Sequence, residues 1–386
     1  MIRNMALVLA VSVLCGCSLL SPPQVSERDG ERSRPVLPAL NTEPLAPVVE
    51  HTYTLQNAQH NVVGTVQVMT ANEQDTFSDI ARSYGLGYDE LKYANPGIDP
   101  WLPGAGTRIV LPTRFVLPDA PREGVVLNIA AKRLFYFHPT DDGELQQVTT
   151  YPVGIGREGW ATPTGQSKVI AKATDPAWYV PASVRKEHRE KGDPLPAVVG
   201  PGPDNPLGRH VLKLDMPGYL LHGTNQPYGV GMRVSHGCVR LYPEHIELLY
   251  AAVGIGVPVT LVNQPVLSGW QGDIFFIKAF PALGDDERTP EALQAVASTH
   301  ARARFGDGDA PFLDAALASV TTSANARAVR WQYAGFDTLT DAVYVENVTT
   351  GPEEGPTRDE VLALIDEVMQ DEPGESAAAE GVTDGG

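Results

Sequence analysis

The sequence predicts a mainly β fold: a β-sandwich domain with one helix, preceded by a small β-α-α-β module and followed by an α/β extension. The sandwich is indicated by short runs of β-branched and aromatic residues that alternate with Gly, Pro, Asp and Asn over residues 124–263. The module is indicated by two short helical patterns between two strand patterns. The chain of 386 residues with 42% hydrophobic content is long enough for two or three cores.

The first residues predict export. A positively charged start precedes an apolar stretch, Met5 to Leu14, which is too short to span a bilayer and is typical of a signal peptide. The residues Leu-Cys-Gly before Cys17 resemble the lipobox of bacterial lipoproteins. This resemblance implies that residues 1–16 are removed, that Cys17 carries the lipid, and, with Ser18 next, that the anchor lies in the outer membrane. A plain secretory signal cleaved nearby is the alternative.

Residues 17–50 are predicted to be a flexible tether, because Ser, Pro and charged residues dominate and few apolar side chains could form a core. Nothing after Cys17 has the length of a membrane helix, so we expect a soluble body held in the periplasm by its lipid. The net charge of -18 argues against nucleic acid as a partner, since phosphate binding needs clustered Lys and Arg.

Residues 68–112 predict the β-α-α-β module. Thr76 can cap a first helix, Tyr88 to Ala94 form a second, and Thr107 to Leu111 alternate like a closing strand. The run Asp-Thr-Phe-Ser-Asp-Ile-Ala from position 75, with the Asn-Pro that follows the second helix, resembles a LysM module. The resemblance implies binding to N-acetylglucosamine glycans, including peptidoglycan. The alternative is a module that has lost its ligand and serves as a spacer.

Residues 124–263 are predicted to form the β-sandwich. One helix interrupts the strands, beginning at Pro243 and ending before Gly254. A Pro- and Gly-rich stretch from Lys172 to Gly208 predicts a lid or binding loop. The β-favourable runs are Gly124–Ile129, Arg133–Phe137, Leu145–Val153, Ser167–Ala171, His210–Leu214, Tyr219–His222 and Pro258–Val262.

Residues 264–369 are predicted to be a C-terminal extension without visible chemistry. A strand is expected at Ile274 to Ile277 and a helix beginning at Pro290. An acidic amphipathic helix is expected at Thr357 to Met369, and residues 370–386 have the composition of a disordered tail.

Cys238 is the strongest candidate for chemistry. After export it would be the sole free thiol of the chain, so it is either a packing residue or a nucleophile. A thiol that transfers acyl groups needs a base, and His222 at a strand end is the natural one. The backbone carbonyl of Gly223 could orient the other ring nitrogen of His222.

The residues around Cys238 fit the same chemistry. His236 and Arg240 are expected to add positive potential that lowers the pKa of the thiol. Gly237 lets the backbone approach a substrate closely, so the amides near Gly237 and Cys238 could face a developing oxyanion.

These residues also carry a family resemblance. His-Gly-Thr from His222 and Ser-His-Gly-Cys-Val-Arg at 235–240 resemble the signature of the L,D-transpeptidase (YkuD-type) catalytic domain, which would span about 124–263. The resemblance implies that Cys238 is the nucleophile, His222 the proton donor and acceptor, and His236 a supporting residue. Arg240 is assigned to substrate binding. Many members of this family have Asn where this chain has Arg240. The role of that Asn is therefore not assigned to Arg240.

The implied reaction passes through a thioester. Cys238 would attack a peptidoglycan tetrapeptide stem, release the terminal D-Ala and hand the stem to an amine, without metal or cofactor. A second stem as acceptor gives a 3-3 crosslink, the C-terminal Lys of an outer-membrane lipoprotein gives an anchor, and water gives L,D-carboxypeptidase activity. With the LysM-like module, the chain resembles the Gram-negative branch that attaches the major outer-membrane lipoprotein to peptidoglycan.

Three other interpretations remain open. His222 and Cys238 could be ordinary core residues. Together with His236 they could be zinc ligands of a hydrolase, although no HExxH or CxxC spacing supports this. Finally, the chain could be a catalytically silent tether that binds peptidoglycan.

Overall fold

The structure is a computed structural model that describes residues 49–140, 144–305, 318–320, 322–332, 335–337 and 341–349. The expected signal peptide, Cys17, nearly all of the tether, the helix at 357–369 and the tail at 370–386 lie outside these residues. In the described part, no helix has the length and apolar character needed to cross a bilayer.

Short β-strands dominate the described chain, as predicted. The helices are α1 (Phe77–Ser83), α2 (Tyr88–Ala94), α3 (Ala182–Glu190), α4 (Pro243–Ala252) and α5 (Pro290–Phe305). The strands are β1 (His51–Thr54), β2 (Val62–Val63), β3 (Gln67–Thr70), β4 (Arg108–Leu111), β5 (Phe115–Val116), β6 (Gly124–Asn128), β7 (Arg133–Phe137), β8 (Gln147–Pro152), β9 (Ile155–Gly156), β10 (Gly165–Thr174), β11 (Trp178–Tyr179), β12 (Val198–Val199), β13 (His210–Leu214), β14 (Leu220–His222), β15 (Arg233–Ser235), β16 (Val239–Arg240), β17 (Pro258–Val262), β18 (Val266–Gln271), β19 (Ile274–Ala279), β20 (Ala328–Gln332), β21 (Gly335–Asp337) and β22 (Val343–Tyr344).

One mixed sheet forms the centre, with the order β1-β8-β7-β6-β17-β10-β13-β14-β16. Strand β10 belongs to both halves, since its first part pairs with β17 and its second part with β13. A register shift between Val169 and Ala171 lets β10 bend from one half into the other. Side chains from both halves and from α4 share one hydrophobic core, including Leu127, Leu221 and Leu249. The mainly β, sandwich-like prediction is confirmed.

The hairpin of β6 and β7 is buried on both faces, because every residue of the two strands is buried. Alternate side chains, such as Phe135 and Phe137, join a second core with Phe77, Ile80 and Leu91 of the upstream module. The module and the sheet are therefore held together by a common hydrophobic core.

The upstream module has the β-α-α-β arrangement that the sequence predicts, with β3 and β4 antiparallel and α1 and α2 between them. The helix cap is also as expected: the N–H of Asp79 donates to Thr76 Oγ1 at 3.2 Å, and the N–H of Thr76 donates to Asp79 Oδ2 at 3.3 Å. Strand β22 of the C-terminal extension pairs in parallel with β3. The LysM likeness of the module remains a prediction.

The C-terminal extension contains the sheet β18-β19-β20-β21, against which α5 packs through Leu293. The strand expected near Ile274 and the helix expected from Pro290 are both present.

The stretch from Lys172 to Gly208 differs from the predicted long loop. It contains the β11–β12 hairpin and α3, so the sandwich domain has a second helix besides α4. Pro181 precedes ten residues without Gly or Pro, and this run favours a helix. The helix was not predicted because Pro and Gly are abundant on either side of it.

Candidate active site

Two short parallel strands bring the predicted site residues together. His222 is the last residue of β14 and lies opposite Arg240 of β16. Cys238 precedes β16 by one residue. Because alternate residues of a strand point to the same face, Cys238 and Arg240 share a face with His222. The thiol and the imidazole therefore lie on one face of two adjacent strand ends.

The imidazole of His222 is buried, with 3% exposure, and its orientation is fixed by the backbone. Nδ1 lies 2.6 Å from the carbonyl oxygen of Gly223, the contact expected from the sequence. A carbonyl only accepts, so Nδ1 carries the proton and Nε2 keeps its lone pair. Burial, and then the charge of Arg240, lower the pKa of His222 to about 3. Hydrogen bonds to the carbonyls of Gly223 and Leu207 act in the opposite direction and raise it, but by less. The ring is thus a neutral proton acceptor near pH 7.

The thiol of Cys238 is in its protonated state at neutral pH. Burial raises its pKa above the ordinary value, although a hydrogen bond from the Leu220 backbone and the charge of Arg240 favour the thiolate. Sγ donates to the carbonyl oxygen of Gly218 at 3.5 Å rather than to His222. The hydrogen bond of the thiol is therefore directed to the backbone and not to the imidazole in this structure.

Arg240 is a half-buried cation beside both groups. Its Nε is buried and has no hydrogen-bond partner, and no acidic side chain of the described ranges forms an ion pair with it. Burial lowers the pKa of its guanidinium, and the nearby Cys238 and Tyr228 oppose that shift. A guanidinium with little solvent and no acidic partner is costly to keep in the fold.

A hydrogen-bond relay fixes the turn before Cys238. Ser235 Oγ donates to the Cys238 carbonyl at 2.5 Å, and Thr162 Oγ1 donates to the Gly237 carbonyl at 3.0 Å. Thr162 Oγ1 in turn accepts from the N–H of Gly156 at 3.0 Å. Cys238 is thereby held by the neighbouring strand β9 as well as by its own turn.

Gly237 differs in one respect from the role predicted for it. Its N–H donates to Ser235 Oγ at 3.2 Å, so in this structure the amide is engaged within the turn. Its φ of 101° and a Tyr219 ring atom 3.2 Å from the position of a Cβ explain why glycine occurs here. The N–H of Cys238, just before β16, is left as the candidate oxyanion donor.

His236 does not supply the positive charge expected from the sequence. Burial, and then the charge of Arg157, lower its pKa to about 4, while Glu187 opposes the shift. The ring is therefore neutral near pH 7, and Nε2 lies 3.1 Å from Arg157 Nη2. Glu187 Oε2 lies 3.3 Å from the same nitrogen.

Arg157 and Glu187 are site residues that sequence reasoning missed. They form an ion pair, and Glu187 also bonds Lys191 at 3.2 Å. Burial alone would raise the pKa of Glu187, but the hydrogen bonds from Arg157 and Lys191 lower it to about 2. Glu187 belongs to α3, so only the helical pattern after Pro181 could have pointed to it.

The zinc alternative finds no support in the arrangement of the side chains. Across the described residues, no three His, Cys, Asp or Glu side chains are grouped so that they could hold one metal ion. His236 faces Arg157 and α3, whereas His222 faces Arg240 and Cys238.

Solved structures overlap with part of the chain. L,D-transpeptidase 3 from Mycobacterium tuberculosis is 21% identical and covers 40% of this chain and 66% of its own, with a TM-score of 0.27. The catalytic domain of the E. faecium L,D-transpeptidase is 20% identical and covers 37% of this chain and 99% of its own, with a TM-score of 0.28.

Sequence relatives match more strongly. A family model of the L,D-transpeptidase catalytic domain matches residues 122–261. The probable L,D-transpeptidase YcfS of Escherichia coli is 41% identical over 225 residues, which is 57% of this chain and 69% of the relative. YbiS of the same organism, also named a probable L,D-transpeptidase, is 40% identical over 58% of this chain and 72% of its own length. The chain therefore belongs to the L,D-transpeptidase family.

Proposed function

We propose that the chain is a cysteine-dependent L,D-transpeptidase that acts on peptidoglycan tetrapeptide stems through a thioester on Cys238. The observation that carries the proposal is the shared face of β14 and β16. It combines the thiol of Cys238, the neutral imidazole of His222 and the unpaired guanidinium of Arg240. These groups suit a nucleophile, its base and a contact for a polar substrate group.

Acylation begins when the thiol turns from the Gly218 carbonyl toward Nε2 of His222, which takes the proton. Sγ attacks the carbonyl at the L-centre of the diamino acid. The C–N bond to the terminal D-Ala breaks, and His222 returns the proton to the leaving amine. The N–H of Cys238 stabilises the oxyanion, and Gly237 joins it only when Ser235 releases its amide.

Deacylation repeats these steps with an incoming amine, whose proton passes to His222 as the C–N bond forms and the C–S bond breaks. His222 then returns that proton to Sγ of Cys238, which restores the starting state. A second stem peptide gives a 3-3 crosslink, and a lipoprotein Lys gives an anchored lipoprotein. Water in place of the amine makes the enzyme an L,D-carboxypeptidase. The relatives' names support the reaction class and leave the acceptor open.

The location and partners belong to the same proposal. An enzyme that acts on the peptidoglycan stems of a Gram-negative cell works in the periplasm. A lipidated Cys17 would tether it to the outer membrane. The alternative is a silent peptidoglycan-binding tether, for which the site would be inert.

The test is to incubate the full-length protein and its C238S variant with a disaccharide tetrapeptide, with and without a peptide that ends in Lys. Wild type should release D-Ala and show a mass adduct on Cys238, and the product should reveal the acceptor. C238S should do neither. Equal turnover by C238S, or the lack of any adduct with the donor or a carbapenem, would refute the proposal.

A further inference from the structure

The C-terminal extension contacts the catalytic domain close to the turn that carries Cys238. Its loop between β19 and α5 lies against the loop between β9 and β10, since a Cβ on Gly284 would lie 3.7 Å from the carboxylate of Glu158. Leu283 of the same loop packs against the core of the sandwich. Asp285 follows, beyond the end of the predicted catalytic domain. The proposed catalytic steps give this extension no role.

Asp285 forms an ion pair with Arg233, on the strand that leads to the turn. Nη2 of Arg233 donates to both carboxylate oxygens of Asp285, each at 3.4 Å. The side chain of Arg233 is 16% exposed and that of Asp285 is 39% exposed, so the pair is partly shielded from water. Arg233 begins β15, and Ser235 at the end of this strand donates to the Cys238 carbonyl. The ion pair therefore lies two residues from a direct hydrogen bond to Cys238.

A second path, the Arg233 relay, leads from the ion pair to the turn through three hydrogen bonds. Nε of Arg233 donates to the carbonyl of Gly156 at 3.3 Å. The N–H of Gly156 donates to Thr162 Oγ1, and this hydroxyl donates to the Gly237 carbonyl, each at 3.0 Å. Gly156 also lies directly against the turn, because a Cβ there would be 2.9 Å from Gly237 Cα. A displacement of Gly156 is therefore transmitted to the turn by contact as well as by hydrogen bonds.

The Arg233 relay borders open space rather than packed side chains on one side. A hollow of about 170 Å³ is lined by Thr162, Arg233 and Asp285, together with Leu283. Where a side chain has no atoms in contact with it, packing does not fix its position. The positions of Thr162 and Arg233 on this side therefore depend on their hydrogen bonds, and loss of the Asp285 carboxylate should loosen the relay.

We propose that the C-terminal extension positions the turn of Cys238 for the reaction: Asp285 orients Arg233, which acts on the turn through the relay. Both are positioning residues that act without contacting the substrate. The effect on turnover rests on the proposed function. In that reaction the turn aligns Sγ of Cys238 for attack and its N–H for the oxyanion, so a loosened turn slows acylation.

The kinetic test compares Asp285→Ala with Glu287→Ala in the full-length protein, with a disaccharide tetrapeptide as donor. Both variants lose one exposed carboxylate of the same loop, and Glu287 has no ion pair with any residue that the structure describes. Asp285→Ala should lower kcat about tenfold and leave KM within about twofold, because alignment is lost and no substrate contact is removed. Asp285→Asn keeps an oxygen that accepts from Arg233 and should recover part of the loss. Glu287→Ala should match the wild type.

Amide hydrogen exchange measures the relay without turnover. Asp285→Ala should speed exchange in residues 235–240 about threefold or more, and Glu287→Ala should leave it unchanged. The thermal midpoints of both should stay near that of the wild type, because a partly exposed ion pair contributes little to stability. Unchanged exchange in Asp285→Ala, or unchanged kcat in an active enzyme, would overturn the proposal. Faster exchange in Asp285→Ala, with no D-Ala release by the wild type, would uphold the positioning of the turn and refute the proposed function.

Discussion

Two charged clusters of this protein differ in whether their guanidinium has an acidic partner. In one cluster, Arg133 lies 2.6 Å from Glu90, and Lys278 lies 2.8 Å from the same carboxylate. In the other, Arg240 lies beside His222 and Cys238 and has no acidic partner in the described structure. The guanidinium of the first cluster is neutralised within the fold, and we propose that a ligand neutralises that of the second.

The Glu90 cluster joins three segments that are predicted from the sequence to be separate domains. Glu90 lies in the module, Arg133 in the catalytic sheet and Lys278 in the C-terminal extension. Burial alone would raise the pKa of Glu90, but Arg133 and Lys278 outweigh it and hold the carboxylate below its ordinary value. Lys278 also donates to the backbone carbonyls of Pro112 and Arg114, each at 3.2 Å. The module is therefore fixed to the enzyme by charge as well as by packing.

The contrast leads to different predictions for substitutions in the two clusters. Paired buried charges are costly to break, whereas an unpaired one costs stability and is retained for another reason. Substitutions in the Glu90 cluster should thus affect unfolding, and substitutions around Cys238 should affect turnover.

The largest expected effect is on catalysis. His222→Gln removes the base next to Cys238 and should slow acylation about a thousandfold. The amide of Gln can still donate to the Gly223 carbonyl, so the unfolding midpoint should change little. D-Ala release and thermal unfolding measure the two quantities. A variant that acylates at the wild-type rate would remove His222 from the chemistry.

Next in size is the effect of Glu90 on stability. Glu90→Ala leaves Arg133 and Lys278 buried without their carboxylate and should lower the free energy of unfolding by about 3 kcal/mol or more. The control is Glu190→Ala, whose exposed pair with Lys186 is 3.8 Å long and should contribute less than about 0.5 kcal/mol. Urea unfolding compares them. Similar values for the two variants would mean that the buried cluster does not hold the segments together.

Arg240→Met should reverse the pattern of Glu90→Ala. Loss of the unpaired cation should leave stability unchanged or raise it by about 1 kcal/mol, while kcat/KM falls about a hundredfold. Because Arg240 lowers the pKa of Cys238, the alkaline rise in activity should move to higher pH in this variant. Arg240→Lys keeps a positive charge at this position, so its pH–activity curve should lie between those of the wild type and Arg240→Met. A strongly destabilised Arg240→Met would place Arg240 with the structural cluster.

The smallest effect concerns acid stability. Burial, and then His51, Arg133 and Arg82, lower the pKa of His245 from 6.5 to about 3. The unfolded state therefore binds more protons below pH 6.5, so this contribution to stability is full above that pH and is lost as the pH falls toward 3. His245→Phe should reduce the loss between neutral pH and about pH 5 by roughly 1–2 kcal/mol.

The comparison for His245→Phe is the urea midpoint of wild type and variant at both pH values. His245 Nδ1 is buried without a hydrogen-bond partner, and the ring packs against Tyr151 and Tyr242, so Phe should fit at neutral pH. Parallel pH curves for the two proteins would show that His245 does not contribute to acid lability.

Local features followed from the sequence because short-range chemistry determines them. The strands Arg133–Phe137, His210–Leu214 and Pro258–Val262 have the predicted bounds, and Thr76 caps α1 as expected. The bond from His222 to the Gly223 carbonyl was predictable for the same reason, since the two residues are adjacent.

Only the tertiary structure decided the partners of distant groups. Glu90 and Lys278 are 188 residues apart, and Arg157 and His236 are 79 apart. No local pattern specifies such pairs, because packing of separate strands and helices brings them together. The sequence by itself predicted the candidate site residues and most of the strands around them. The fold determined which charges are neutralised, which amide of the catalytic turn is engaged, and which guanidinium remains available beside the thiol.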